Sequence, residues 1–308
     1  MDMHRESSAR LRLAISGVPE GIIRLEPREA TFEDLNRVHH PAHIRMIQEL
    51  CAYGDRRYID MNTYVTADSF EVASYAAGAS IQATEQTFLG EHSFAMVRPP
   101  GHHAEPDRAM GFCLFNNAAV AAAKALDTVE RVVIVDWDLH HGNGTQKIFY
   151  SSDRVLYCSI HQGNIFPRTG WADEIGEGRG KGFTINAPIR AGATIADYFL
   201  VFNEIFRAAI EDFKPGLLIV SAGQDPLADD PIESMRLRPE DFGVLTRILK
   251  ESSKNPLAVI LEGGYGPSLG EAVAHIFRVL QGEMPDLPDL RPRESTVRLV
   301  RDLKKMVI

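Results

Sequence analysis

The run Val132-Val-Ile-Val-Asp-Trp-Asp-Leu-His-His141 constrains this chain more than any other stretch. An unbroken β-branched apolar run reads as a strand covered on both faces, which is the habit of a parallel sheet sandwiched by helices. The run flows directly into Asp136, Asp138 and His140, spaced two apart. In extended backbone, alternate side chains point to the same side. Asp138 and His140 can therefore converge on one metal ion, with Asp136 behind them. Carboxylate oxygen and imidazole nitrogen are both competent Zn²⁺ ligands. Packing alone does not explain a strand that ends this way.

The rest of the chain keeps the same rhythm. Helices are expected from Asp68 to about Leu89, with Asp68 as cap and Val72, Tyr75, Ala76 and Ala79 on one face. Others are expected over 116–126, 194–212 and 242–251, and strands over 93–97, 131–135, 155–160, 217–220 and 257–261. This is the pattern of parallel βαβ units. Four strands end in polar loops: Arg98-Pro-Pro-Gly-His-His103, Asp136-Trp-Asp-Leu-His-His141, Ser221-Ala-Gly-Gln-Asp225 and Glu262-Gly-Gly-Tyr265. The C-terminal strand ends of a parallel sheet share one edge, where ligands bind. The four loops can therefore meet.

With no long linker and no internal repeat, the chain is expected to form a single catalytic domain over 1–308. Its 44% hydrophobic and 24% charged residues are those of an ordinary globular protein. No apolar run reaches the 18 to 20 or so residues of a membrane span, and the charged N-terminus lacks a secretory signal. Cys51, Cys113 and Cys158 are widely spaced and odd in number, which points to a reducing compartment and a cytoplasmic location. A net charge of −9 argues against direct nucleic-acid binding and leaves room for basic substrates.

A catalytic zinc usually takes three protein ligands and keeps one position for water. Asp225, at a strand end on a Gly-containing turn, joins Asp138 and His140 as the third. His102 and His103 follow a stiff Pro-Pro-Gly turn, and one of them can serve as proton shuttle. Each ring needs a partner on its far nitrogen, for which Asp136 and Asn143 are candidates. Tyr265, between glycines, could donate to a developing oxyanion. His39, His40 and His43 read as structural or surface residues. His141 is equally a candidate for packing, and His161 reads as lying beyond a strand. Gly176-Glu-Gly-Arg-Gly-Lys-Gly182 lacks the order of a phosphate-binding loop and is read as flexible.

Together these motifs resemble the histone deacetylase family, including its prokaryotic deacetylase-like amidohydrolases. The match runs from about His4 past Tyr265 and includes Gly111-Phe-Cys-Leu-Phe-Asn-Asn117 and Leu261-Glu-Gly-Gly-Tyr265. The Asp-Trp-Asp and Leu-Glu-Gly-Gly-Tyr forms look like the class II branch. The resemblance implies a three-layer arginase-like α/β fold with a mostly parallel central sheet of about eight strands. It implies Asp138, His140 and Asp225 as zinc ligands, His103 as main acid and base, His102 as its charged neighbour, and Tyr265 as carbonyl polariser. Asp136 would pair with His102, and Asn143 would orient His103. Phe112, Phe166 and Gly111 would line a tunnel for an acyl-lysine stem. A structural K⁺ is implied near Asp136, Asp138, His140 and Ser159.

The chain departs from the family pattern in places. Gln224 precedes Asp225 where phenylalanine is usual, Arg168 replaces a common glycine, and Asn62 stands where many members carry a substrate-holding aspartate. The first family strand would be shortened or absent. The expected activity is zinc-dependent removal of an acetyl or other short acyl group from lysine in a protein or peptide, or from an acylated polyamine. Glu233 is a candidate polyamine contact but reads more readily as a solvated carboxylate. The rival readings are a two-metal arginase-type hydrolase using Asp229 and Asp230, and an inactive acyl-lysine binding protein. Fe²⁺ would suit the same ligands as Zn²⁺.

Overall fold

The apolar runs pair into one sheet whose neighbours are all parallel. The computed structural model describes residues 7–231, 234–287 and 291–307. Glu233 and the His4-Arg-Glu segment lie outside the described residues. A short antiparallel ribbon pairs β1 (Arg57–Tyr58) with β2 (Tyr64–Val65). The sheet itself comprises β3 (Ser93–Ala95), β4 (Val132–Asp136), β5 (Val155–Gln162), β6 (Thr184–Ile189), β7 (Leu217–Ala222) and β8 (Leu257–Leu261), in the order β3-β8-β7-β4-β5-β6.

Strand alternation sorts the apolar side chains into two cores. Val133, Val135, Trp137, Leu218, Val220 and Val259 face one, and Val132, Ile134, Ile219, Ala258 and Ile260 face the other. Pro239–Ser252 and Glu294–Val307 cover the first face, and Pro41–Ala52, Ser69–Phe88 and Asn117–Ala125 the second. Each fully buried Val, Leu or Ile contributes roughly 1.5–3 kcal/mol. The central strands are therefore the firmest part of the molecule, and the site rests on their ends.

The expected α/β architecture is present, with six strands in the sheet among the described residues instead of about eight. The β6 edge is closed by Glu294–Val307, whose Val300 and Leu303 join the core that holds Ile189. Strand β6 escaped the sequence reading because Asn186 and Pro188 interrupt its apolar character. Proline is tolerated there because an edge strand has an amide side that needs no partner.

Two local expectations are corrected. Ser69–Phe88 does begin after Asp68, but the Asp68 side chain makes no capping bond. Tyr75 of that helix is exposed, while Ala73, Ala76, Ala77, Gly78 and Ile81 are buried. The cause is a second covering strip. Residues 28–30 lie across the helix so closely that a Cβ on Gly78 would sit 2.0 Å from the Arg28 carbonyl oxygen. The Gly176–Gly182 segment contains a short 3-10 turn, Gly178–Gly180, pressed against Tyr150. Among the described residues no helix is long and apolar enough to cross a membrane.

Candidate metal centre

Strand β4 ends at Asp136, so Asp138 and His140 lie in the turn beyond it instead of in extended backbone. What makes them converge is a relay of carboxylates. Asp136 Oδ1 accepts from the Asp138 amide at 3.1 Å, and Asp138 Oδ1 accepts from the His140 amide at 2.9 Å. Asp225, past the end of β7, reaches across so that its Oδ1 accepts from the Leu139 amide at 2.8 Å. The His140 Nδ1 then lies 3.3 Å from Asp138 Oδ1 and 3.1 Å from Asp225 Oδ2.

The donor atoms of Asp138, His140 and Asp225 all fall within 4.8 Å of one another. Asp138 and Asp225 are 1% exposed, and like-charged carboxylates this close and this dry call for a cation. Glycine makes the approach possible. A Cβ on Gly223 would lie 2.0 Å from Asp138 Oδ2, and one on Gly263 would lie 2.7 Å from Asp138 Oδ2 and 2.9 Å from Asp225 Oδ2. Burial opposes a proton on His140, yet hydrogen bonds to Asp138 and Asp225 raise it to about 9. The shift reflects how strongly the two carboxylates attract positive charge. The residues present therefore fit a zinc-type ligand set of two carboxylates and one histidine.

The histidine pair sits beside these ligands. His102 Nδ1 is 3.1 Å from Asp136 Oδ2, and His103 Nδ1 is 2.8 Å from Asn143 Oδ1. The rings lie 4.0 Å apart at 45°. Burial pushes the pKa of His102 down, but the Asp138, Asp136 and Glu262 charges reverse this and hold it well above the usual range. Burial and the positive His102 and His140 drive His103 well below it. The surroundings therefore favour the protonated form of His102 and the neutral form of His103. Asp136 Oδ2 also accepts from the Tyr157 hydroxyl at 3.0 Å.

Gly111, Phe112, Phe166, Asn62 and Tyr265 line one pocket together with the metal-site side chains. The Phe166 ring stands edge-on to His103 at 4.9 Å, and Phe112 is edge-on to Tyr265 at 6.0 Å. Gly111, at φ 57, leaves room that a Cβ would lose, since it would fall 2.5 Å from His103 Cδ2. The Thr63 hydroxyl accepts from the Phe112 amide at 3.1 Å and ties one wall to the ribbon. Ser159 lies outside the pocket, opposite Asp136 in the β4–β5 register, and its hydroxyl bonds His161 Nδ1 at 2.9 Å.

His39, His43, His141 and His161 are buried and bonded within the fold. Buried His39 accepts from the Asn116 amide, and buried His43 bonds the Leu114 carbonyl. His141 bonds Thr169 and Gln146. His161 is fully buried inside β5, which corrects its expected place beyond a strand. Asp229 and Asp230 serve the backbone. Asp230 Oδ2 accepts from the Tyr265 amide at 2.7 Å, and Asp229 Oδ2 accepts from both the amide and the hydroxyl of Ser268. Among the described residues, Asp138, His140 and Asp225 form the one group suited to a metal.

Sequence reasoning passed over Arg10. From the helix Ser8–Ile15 it donates to the Gly264 carbonyl at 2.8 Å and to the Glu262 carbonyl, with its guanidinium 4.9 Å from the Tyr265 ring centre. Nothing near Arg10 in the sequence signals this role, because its partners lie more than 250 positions away.

A family model described as the histone deacetylase domain matches residues 4–280. Histone deacetylase HDA1 of Candida albicans is 41% identical over 304 residues, covering 92% of this chain and 36% of that protein. The histone deacetylase-like amidohydrolase of Pseudomonas aeruginosa is 39% identical over 272 residues, covering 84% of this chain and 71% of that protein. Among solved structures, the HDA15 HD domain superposes with a TM-score of 0.92 at 34% identity, covering 99% of this chain and 88% of that one.

Proposed function

Because the chain belongs to the histone deacetylase family, we propose that it is a zinc-dependent amidohydrolase that removes an acetyl or other short acyl group from an amine. The observation that carries this reading is the pairing of the Asp138-His140-Asp225 cluster with a neutral, oriented histidine in one pocket. Held by Asp138, His140 and Asp225, zinc would polarise the amide carbonyl and make attacking water more acidic.

The protein's own groups do the rest. Asn143 Oδ1 accepts from His103 Nδ1, which leaves His103 Nε2 free as the proton acceptor. His103 draws the proton from the attacking water at that atom and then delivers it to the departing amine. The cationic His102, anchored by Asp136, makes the proton on His103 easy to give up. The Tyr265 phenol donates to the developing oxyanion. Phe112 and Phe166 flank the aliphatic stem of the substrate over Gly111, with Asn62 at the mouth. The same reading places a monovalent cation beneath the site, by Asp136, Asp138, His140 and Ser159.

The substrate is acyl-lysine in a protein or peptide, or a small acylated amine, handled in the cytoplasm. Tyr265→Phe tests the mechanism. It should lower kcat/KM by about 100–1,000-fold while bound zinc is retained. Undiminished turnover in that variant would overturn the assigned role.

A further inference from the structure

Asp136, Ser221 and Glu262 form a buried polar row across the ends of three neighbouring strands. Asp136 lies opposite Ser221, and Ser221 lies opposite Ile260. Glu262, one residue past the end of β8, shares that face, since its carboxylate meets the Ser221 hydroxyl. Below the row that face is wholly apolar, with Ile134, Ile219 and Ile260 in one core. All three members of the row are 0% exposed.

Glu262 directs its side-chain acceptors away from its own strand. Its Oε2 accepts from the Gly101 amide at 2.7 Å and the His102 amide at 3.1 Å, and its Oε1 accepts from the Ser221 hydroxyl at 2.8 Å. Burying a carboxylate is costly unless its oxygens are satisfied, and here burial pushes its pKa up to about 7. An apolar residue such as Ile260 would fill the space without that cost. What the carboxylate adds is a hold on the Arg98–His103 loop. Pro99 and Pro100 carry no amide hydrogen, so Gly101 and His102 offer the first amides after Arg98. The loop is tight on its other side as well, since a Cβ on Gly101 would fall 2.4 Å from the Asn117 amide nitrogen.

We propose that Glu262 is a positioning residue that fixes the His102-His103 backbone beside the metal ligands. It acts through the two amides, while Asp136 and Asn143 aim the rings. Three of the four loops are joined by this one side chain, so the proton shuttle and the Tyr265 segment keep a common register. The kinetic consequence rests on the amidohydrolase reading, and the structural consequence does not.

The test compares Glu262→Gln, Glu262→Ala and Glu262→Asp, each zinc-loaded, by steady-state kinetics and by ¹⁵N NMR of the histidine rings. Glutamine keeps an oxygen for both amides, and its amide group can donate to Ser221, whose hydroxyl can also accept. It should leave kcat within about threefold of wild type and the His103 ring signals in place. Alanine should lower kcat by about 100-fold, hold KM within about threefold, and shift the His103 signals while zinc stays bound. Aspartate keeps the charge but shortens the reach. It should behave like alanine, and it carries the test if the alanine variant does not fold.

Folded alanine or aspartate variants with wild-type His103 signals would overturn the proposal. So would a glutamine variant as impaired as alanine, because charge and not acceptor geometry would then be at work. A wild-type protein with no turnover would overturn the hydrolase reading instead, and the NMR comparison alone would then decide the role of Glu262.

Discussion

At the scale of single residues, the site is made by carboxylates that accept from backbone amides. Asp136 and Asp138 fold the turn after β4, Asp225 pins Leu139, and Asp230 pins Tyr265. Gln224 shows the reverse condition. It is fully buried beside Asp225, and neither side-chain amide atom has a hydrogen-bond partner. An unpaired buried polar group costs about 1–3 kcal/mol. Gln224→Leu should therefore raise the unfolding free energy by about that amount in urea denaturation, and a fall would show that the amide is satisfied in solution. Away from the site, Asp34 closes a capping box with Thr31 and pairs with Arg28 at 3.0 Å. Burial pushes its pKa up, but the Arg28 and Thr31 contacts outweigh this and hold it below 3.8. A depressed carboxylate stabilises the fold above its unfolded value and loses that contribution as pH falls through the folded one. Asp34→Ala should cost about 1 kcal/mol at neutral pH, and the deficit should shrink below about pH 4. A deficit independent of pH would contradict the assignment.

At the scale of elements, close approach is the controlling feature. The helix Asn117–Ala125 presents Ala118, Ala119, Val120, Ala121 and Ala122 fully buried between the sheet and its neighbours. Ala119→Leu should lose about 1–3 kcal/mol through overpacking, measured as a lower urea midpoint at constant slope. A neutral effect would show slack in this layer. The same scale shows what the sequence could convey. Apolar runs such as Leu257–Leu261 revealed strands because a run buried on both faces has no other common reading. Ser69–Phe88 was legible as a helix and its contact face in part: Ala76 and Ala79 pack on the core, but large Tyr75 is exposed while Ala73, Ala77 and Gly78 are buried. Strand β6 was hidden by Pro188, whose tolerance depends on an edge position that only the assembled sheet defines. At the site, the convergence of Asp138, His140 and Asp225 and the nearby histidine pair were legible because they follow strand ends. Arg10 and the reach of Glu262 to Gly101 and His102 were not, since they join segments more than 150 positions apart.

At the scale of the whole molecule, the parallel sheet gathers four loops on one edge, and the loops gather two buried carboxylates around one imidazole. A metal that binds only the folded chain must stabilise it, by about 2.7 kcal/mol at a hundredfold excess over Kd. Zinc should therefore raise Tm, a chelator should reverse the shift, and Asp225→Asn should abolish it. An unchanged Tm in wild type would mean that the three side chains hold no ion. The most direct measurement is acetate release by the zinc-loaded protein from an acetyl-lysine peptide and from acetylated polyamines, with a chelated sample beside it. Release from at least one substrate, lost on chelation and restored by zinc, is the predicted result. Zinc-loaded protein that releases acetate from neither would contradict the account.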